Sequence, residues 1–142
     1  MEKKKKLRKY LYEDEVKQLL EAAKQTTHPK RDQAIILLIY THAYRASELC
    51  NLVWDDICFE RGTIRVKRQK GGRDFTHNLS FKEYELLSDL KSENTSQHPN
   101  VFITQLGNPF ERHGLKMLMR RLEKLCPDLK EHPHIHKLRS GH

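Results

Sequence analysis

The apolar run Ala34–Tyr40 restricts the fold of this chain more than any other segment. It lies within a predicted helix, Arg31–Ala43, and its side chains are apolar nearly all round that helix. A helix of this kind must be enclosed by other elements. The run is far shorter than the roughly 20 residues that cross a bilayer, which excludes an integral membrane protein. The sequence therefore predicts a folded core built around this helix.

Amphipathic or capped segments on both sides of the run predict further helices. They are Glu13–Lys24, a short helix from Arg45 through Leu52, a helix that begins after the capping box of Ser80 and Glu83, and a last helix marked by Leu115, Leu118, Met119, Leu122 and Leu125. Beyond Pro127 the sequence predicts an irregular, histidine-rich tail, Glu131–His142.

Between the third and fourth helices the periodicity changes to that of strands. Ile57–Glu60, Thr63–Lys67 and Asp74–Leu79 are predicted strands, and Val101–Ile103 is a candidate for a fourth. A mainly helical body with a small three-stranded antiparallel sheet is an α+β fold. We expect one domain over residues 11–142, preceded by a basic arm at residues 1–10.

The charge of the chain favours a polyanionic partner. Lys and Arg number 27 against 19 Asp and Glu, a net charge of +8, and residues 1–9 supply five Lys and one Arg against one Glu. Nucleic acid is the first candidate and an anionic membrane surface the second. The arm is either a solvated tail or a segment that contacts DNA phosphates. Three widely spaced cysteines exclude a disulfide scaffold and a Cys-x-x-Cys zinc site, and they fit a cytoplasmic protein.

Three stretches are candidates for a functional site. In the first, Arg45 stands at the start of a short helix, where its guanidinium can bind a phosphate, or it simply pairs with Glu48. The second is the hairpin Arg61–Arg73, which contains no acidic residue and is either a DNA contact or a charged edge that resists aggregation. The hairpin residues that we expect to contact DNA are Arg65, Lys67, Arg68 and Arg73.

The third stretch is the histidine-rich tail. His132, His134 and His136 alternate, but Pro133 and the lack of a Cys or carboxylate at ligand spacing argue against a metal site. Alternatively, His136 and Arg139 lie one helical turn apart and face the same phosphate.

Taken together, these motifs resemble the catalytic domain of the tyrosine recombinases, the phage integrase family, and in particular its small single-domain members. The resemblance spans roughly Leu11–Arg139. The matching segments, in order, are Arg45-Ala46-Ser47-Glu48-Leu49, then Leu52-x-Trp54-x-Asp56-Ile57, the hairpin Gly62–Gly72, the segment Val101–Ile103 with Gly107-Asn108-Pro109, and His136-Lys137-Leu138-Arg139.

The resemblance implies double-stranded DNA as substrate and phosphotyrosyl strand exchange without metal or other cofactor. Two arginines, here Arg45 and Arg139, would hold the non-bridging oxygens of the reacting phosphate. Lys70 would protonate the leaving 5′ oxygen and His136 would assist proton transfer. Other recombinase protomers are the implied protein partners, and no membrane is involved.

Two features depart from the family pattern, and the assignment of its histidine and arginine has an alternative. Ser140 stands where the family commonly has His, and an ungapped alignment would place His134 and Lys137 in the histidine and arginine positions instead. No tyrosine follows Arg139, so no nucleophile is assigned. We therefore expect a catalytic domain without its C-terminal helices that binds DNA and is inactive alone. The alternative is a non-catalytic DNA-binding regulator or partner of an intact recombinase. The sequence names neither the target site nor the host.

Overall fold

The computed structural model describes residues 10–68, 72–95, 97–129 and 133–139, which fold around one helix. The helices are α1 (Glu13–Ala23), α2 (Pro29–His42), α3 (Ala46–Cys50), α4 (Phe81–Glu93), α5 (Arg112–Lys124) and α6 (Ile135–Arg139). The strands are β1 (Ile57–Cys58), β2 (Thr63–Val66) and β3 (Phe75–Asn78), and a 3-10 turn at Trp54–Asp56 precedes β1.

Helix α2 is the centre of the core. It packs against α1, α4 and α6. Ala34, Ile35, Ile36, Leu38 and Ile39 are almost completely removed from solvent. Burial of so many aliphatic side chains is the main force that assembles the domain. The prediction of a central core helix is confirmed.

The C-terminal end of α2 turns sharply. Ala43 adopts the left-handed conformation, with φ 55° and ψ 43°, and its N–H donates to the carbonyl of Ile39 at 2.9 Å. A non-glycine residue in this conformation costs about 1 kcal/mol. The turn brings the chain directly into α3, so that Arg45 stands at the N-cap of that helix.

The sheet is antiparallel with strand order β1-β2-β3. In β2, Ile64 and Val66 are buried and Arg65 is exposed, which is the alternation of a half-buried strand. Ile64 pairs with His77 of β3, and Arg65 pairs with Thr76. Because directly paired residues share a face of the sheet, His77 lies on the side of β3 that faces the core.

Three predicted elements differ from the structure. The third helix is shorter than predicted, at Ala46–Cys50, and Val101–Ile103 is no strand of the sheet, although Ile103 forms an isolated bridge with Pro109. The tail was predicted to be irregular, which is wrong for Ile135–Arg139, since these residues form α6. A helix this short is unstable alone, but Leu138 is fully buried and α6 packs on α2.

Several predicted features lie outside the described residues: the arm at residues 1–9, Lys70 at the tip of the hairpin, and His132. Among the described helices, none is long and apolar enough to cross a membrane.

Candidate active site

Arg45 and Arg139 lie on the same cleft. The cleft has a volume of about 1190 Å³ and is bounded by α3, α5 and α6. Arg45 reaches it from the N-cap of α3, with 46% of its side chain exposed, and Arg139 reaches it from the last turn of α6. Two arginines from different elements therefore line the same cleft.

The Glu48 carboxylate holds Arg45 and Arg68 in place. Its side chain is completely buried. Oε1 accepts from the backbone N–H of Arg45 at 2.8 Å and from Nη1 of Arg68 at 2.9 Å, and Oε2 lies 3.3 Å from Nη1 of Arg45. One carboxylate thus holds the backbone and side chain of Arg45 and also anchors the end of the hairpin. We call Arg45, Arg68 and Arg139 the arginine cluster.

The left-handed turn at Ala43 supplies the other acceptors of the arginine cluster. The Ala43 carbonyl accepts from Nε of Arg139 at 2.8 Å and from Nη1 of Arg68 at 3.0 Å. The His42 carbonyl accepts from Nη2 of Arg68 at 2.9 Å. These last carbonyls of α2 have no partner within the helix, so the two arginines also satisfy the helix terminus.

The arginine cluster attracts anions. Arg45 and Arg68 contact the Glu48 carboxylate, and Arg139 lies close enough to be affected by it, so these four side chains have a summed charge of 3 − 1 = +2. Burial lowers the pKa of the Arg139 guanidinium, the nearby Arg45 and Arg68 lower it further, and Glu48 opposes them. An arginine remains protonated in spite of this, so the repulsion is relieved when an anion enters the cleft.

The four basic residues predicted on the hairpin have different surroundings. Arg65 pairs with Asp74 at 3.1 Å, and Lys67 pairs with the buried Asp56 at 3.3 Å. The Arg68 side chain is only 18% exposed, and its guanidinium contacts Glu48 and the end of α2. Arg73 is exposed to solvent.

The histidine positions of the tail are partly described. His136 lies on α6, three residues before Arg139, but its side chain is outside the described part of the structure. His134 lines the cleft, as Arg139 does. Lys137, which the ungapped alignment would place in the arginine position, accepts at its carbonyl from the N–H of Leu11 at 3.3 Å. Among the described residues there is no group of three potential metal ligands.

A second set of basic residues lines the cleft and is absent from the predicted site residues, because the sequence pattern of α5 predicted only a core helix. Its apolar face, with Leu115, Leu118 and Leu122, is buried, and a row of cations at a spacing of four residues lies along the opposite side. This spacing places side chains on one helix face and is visible in the sequence. The residues of this row, which we call the α5 basic row, are Arg112, Lys116, Arg120 and Lys124, and all of them line the cleft.

The five tyrosines of the chain all lie within the described residues, and none of them lines the cleft. Tyr44, next to Arg45, is buried, and burial raises the pKa of its hydroxyl. The Tyr84 hydroxyl donates to the Phe59 carbonyl at 3.0 Å. Tyr10 and Tyr12 are exposed and contact each other edge to face. Tyr40, on α2, is partly buried against the core.

Comparison with known proteins gives one consistent family. The model of the phage integrase family matches residues 9–142. The type 1 fimbriae regulatory protein FimB of Escherichia coli K12 is 37% identical over 112 residues, which cover 75% of this chain and 56% of FimB. The tyrosine recombinase XerA of Pyrococcus furiosus is 36% identical over 124 residues, which cover 83% of this chain and 41% of XerA. The chain therefore spans about half the length of the curated relatives that it matches.

Solved structures agree with the sequence comparison. The crystal structure of XerA recombinase matches 98% of this chain with a TM-score of 0.77 and 26% identity, and the match covers 49% of that structure. A lambda integrase dimer bound to a COC′ core site matches 98% of the chain with a TM-score of 0.69, covering 41% of that protein. At 22% identity the second likeness concerns the fold alone.

Proposed function

Because this chain belongs to the phage integrase family and has the fold of a tyrosine recombinase catalytic domain, we propose that it binds duplex DNA for site-specific recombination. The cleft beside the arginine cluster would take one backbone phosphate. The strongest support is the charge of the cleft. Arg45, Arg139 and the α5 basic row all line it, and Glu123 is the acidic residue among the lining residues. Such a protein acts on DNA in the cytoplasm.

The chemistry of phosphoryl transfer suits this arrangement. The transition state places additional negative charge on the non-bridging oxygens, and fixed guanidinium forks stabilise it better than mobile lysines. Arg45 is fixed by Glu48 and Arg139 by the Ala43 carbonyl, so both are oriented before substrate binds. In this proposal Lys70 protonates the leaving oxygen and His136 assists proton transfer.

The hairpin would contribute in two ways. Arg65 and Lys67 are held by Asp74 and Asp56 in ion pairs that are at least partly exposed. The exposed pair of Arg65 with Asp74 stabilises the protein little, so Arg65 can exchange its carboxylate for a DNA phosphate. Lys67, whose partner Asp56 is buried, would contact a phosphate without leaving that carboxylate. Arg73, which is exposed, would bind phosphate directly. Arg68 would act on DNA mainly by keeping the hairpin beside the arginine cluster.

Binding to DNA across a salt series tests the phosphate site. Replacing Arg45 by alanine removes one phosphate contact, so we expect the slope of log Kobs against log salt to fall in magnitude by about 0.9. At 0.1 M salt this corresponds to a loss of affinity of roughly eightfold. The measurement is fluorescence anisotropy with a random duplex at several salt concentrations.

Lys24→Ala is the matched control for Arg45→Ala. It also removes one positive charge, but Lys24 lies at the far end of α1 and pairs with Glu21 at 2.7 Å. A long-range effect of net charge would weaken DNA binding equally in both variants. Equal effects, or binding that does not respond to salt, would contradict a phosphate site at Arg45.

These 142 residues should bind DNA without cutting it. We expect no covalent DNA–protein adduct when the chain is incubated with a nicked suicide duplex, because no tyrosine among the described residues lines the cleft. Denaturing gel electrophoresis of labelled DNA is the measurement. Addition of an intact family recombinase, which supplies its own tyrosine, is the positive control. An adduct with this chain alone would refute the proposed inactivity.

The same observation favours a second candidate function, that of a non-catalytic DNA-binding regulator or partner of an intact recombinase. Such a protein would reduce or stimulate strand cleavage by the intact enzyme in the assay above. If it bound DNA and left cleavage by the enzyme unchanged at saturating concentration, this second function would be excluded.

A further inference from the structure

Two histidines from distant parts of the sequence meet beneath the hairpin. His42 is in the last turn of α2 with 2% of its side chain exposed, and His77 lies on the core-facing side of β3. Their Nδ1 atoms are 2.8 Å apart. Since each Nδ1 is either a donor or an acceptor, this distance requires that only one of the two nitrogens bears a proton.

A buried carboxylate determines which nitrogen that is. Glu83, at the start of α4, is completely buried, and its Oε2 lies 2.9 Å from Nε2 of His42. Neither atom meets hydrogen-bond geometry with any group in the described part of the structure, so this close ion-pair contact is what links them. A carboxylate favours a proton on the ring nitrogen that lies against it, so we assign the proton of His42 to Nε2. With this assignment Nδ1 of His42 is an acceptor, and His77 donates to it.

The surroundings of His77 favour this neutral donor. Burial lowers the pKa of His77, the neighbouring His42 and Arg68 lower it further, and Glu83 opposes them. Near neutral pH, His77 is therefore uncharged and has one N–H to place. The order of donors is His77 to His42 and His42 to Glu83, which joins β3, α2 and α4 through their side chains.

Both strands of the hairpin are thus attached to the last turn of α2. Strand β3 is attached through the ring of His77. The end of β2 is attached through Arg68, which donates to the carbonyls of His42 and Ala43. Arg45 follows His42 by three residues. The two attachments therefore determine where the hairpin lies relative to the arginine cluster.

We propose that His42, oriented by Glu83, is a positioning residue that accepts a hydrogen bond from His77 and holds the hairpin beside the arginine cluster. Its effect on DNA binding rests on the proposed function, whereas its effect on the hairpin does not. Loss of the His77 donor should loosen β2 and β3 without disturbing α1 or α5, which lie elsewhere in the packing.

Two substitutions of His77 separate the effect of losing the N–H donor from the effect of changing the size of the side chain. Asparagine places an amide N–H about where the imidazole has Nδ1, whereas leucine is of similar size and has no donor. Leucine is the better residue for a strand, so a role in sheet packing alone predicts that His77→Leu is the more stable variant. Our proposal predicts the reverse order.

Amide hydrogen exchange is the first measurement. In His77→Leu we expect the amides of β2 and β3 to exchange about tenfold faster than in the original chain, which is the effect of one lost hydrogen bond. In His77→Asn they should stay close to the original rates. Thr76→Leu, on the opposite face of the same strand, is the control and should leave the hairpin protected. Equal exchange in the leucine and asparagine variants would overturn the proposal.

Nitrogen NMR of the histidine rings gives a second, independent test. The original chain should show His42 protonated at Nε2 and bare at Nδ1. A His42 ring with a proton at Nδ1, whether Nε2 is bare or also protonated, would refute the assigned order of donors, even if all variants fold.

DNA binding distinguishes failure of this proposal from failure of the proposed function. A random duplex should bind His77→Asn more tightly than His77→Leu. If the original chain bound no DNA, the proposed function would fail, and the exchange rates would still decide the role of His42. If the original chain bound DNA and both variants matched it in affinity and in hairpin exchange, the positioning role would be refuted.

Discussion

Replacement of Glu48 by alanine is expected to lower the free energy of unfolding by about 3 kcal/mol. Glu48 is buried completely, and Arg68, which depends on it, is largely buried. Removal of the carboxylate leaves the Arg68 guanidinium without its counter-charge and the backbone N–H of Arg45 without its acceptor. The three cations of the arginine cluster would also repel each other without compensation. Urea unfolding followed by circular dichroism measures the change.

Two further variants show whether this loss belongs to the arginine cluster. Glu21→Ala removes a carboxylate from an exposed pair with Lys24, and its effect should be less than about 1 kcal/mol. Glu48→Gln keeps the volume and one acceptor, so it should lie between Glu48→Ala and the original chain. If Glu48→Ala were as stable as Glu21→Ala, the assigned role of Glu48 would be wrong.

The second large effect concerns the α5 basic row. We expect the triple variant Lys116→Ala, Arg120→Ala and Lys124→Ala to lower the magnitude of the salt slope of DNA binding by about 2.7, or about 0.9 for each phosphate contact. At 0.1 M salt the corresponding loss of affinity is roughly 500-fold. The three side chains are exposed, so their replacement should leave the core intact.

The matched control removes three exposed lysines that lie away from the cleft. Lys17 and Lys24 belong to α1 and its C-cap, and Lys82 is in the first turn of α4. This control changes the net charge by the same amount, so it isolates the contribution of position. Similar slopes for the two triple variants would show that DNA is attracted by total charge and that the α5 basic row makes no specific contact.

The sequence predicted the elements with strong local signals. The apolar run gave the position of α2 to within two residues at its start, and the reciprocal hydrogen bonds of Ser80 and Glu83 are present at the start of α4. The family motifs predicted Arg45 and Arg139 as site residues, and both line one cleft. Each of these signals lies within one helix or one short motif.

The interactions that the sequence did not reveal join distant residues. Arg68 resembles the other hairpin cations in sequence, and only the fold shows that it reaches Glu48, 20 residues earlier. The pairing of His42 with His77 depends on the register of β3 as well as on the end of α2. Helix α6 was missed because its helical state depends on the burial of Leu138 rather than on local propensity.

The shared carbonyl of Ala43 links two elements of the site that come from distant parts of the sequence. Arg68 comes from the hairpin and Arg139 from α6, yet both donate to the same oxygen. That oxygen faces them only while residue 43 remains left-handed, and an alanine that leaves this conformation must rotate the peptide. Departure from this conformation would remove the acceptor of Arg139 and one of the acceptors of Arg68 together, so the backbone of one alanine ties the orientation of α6 to that of the hairpin, which Glu48 and the His42 carbonyl also hold.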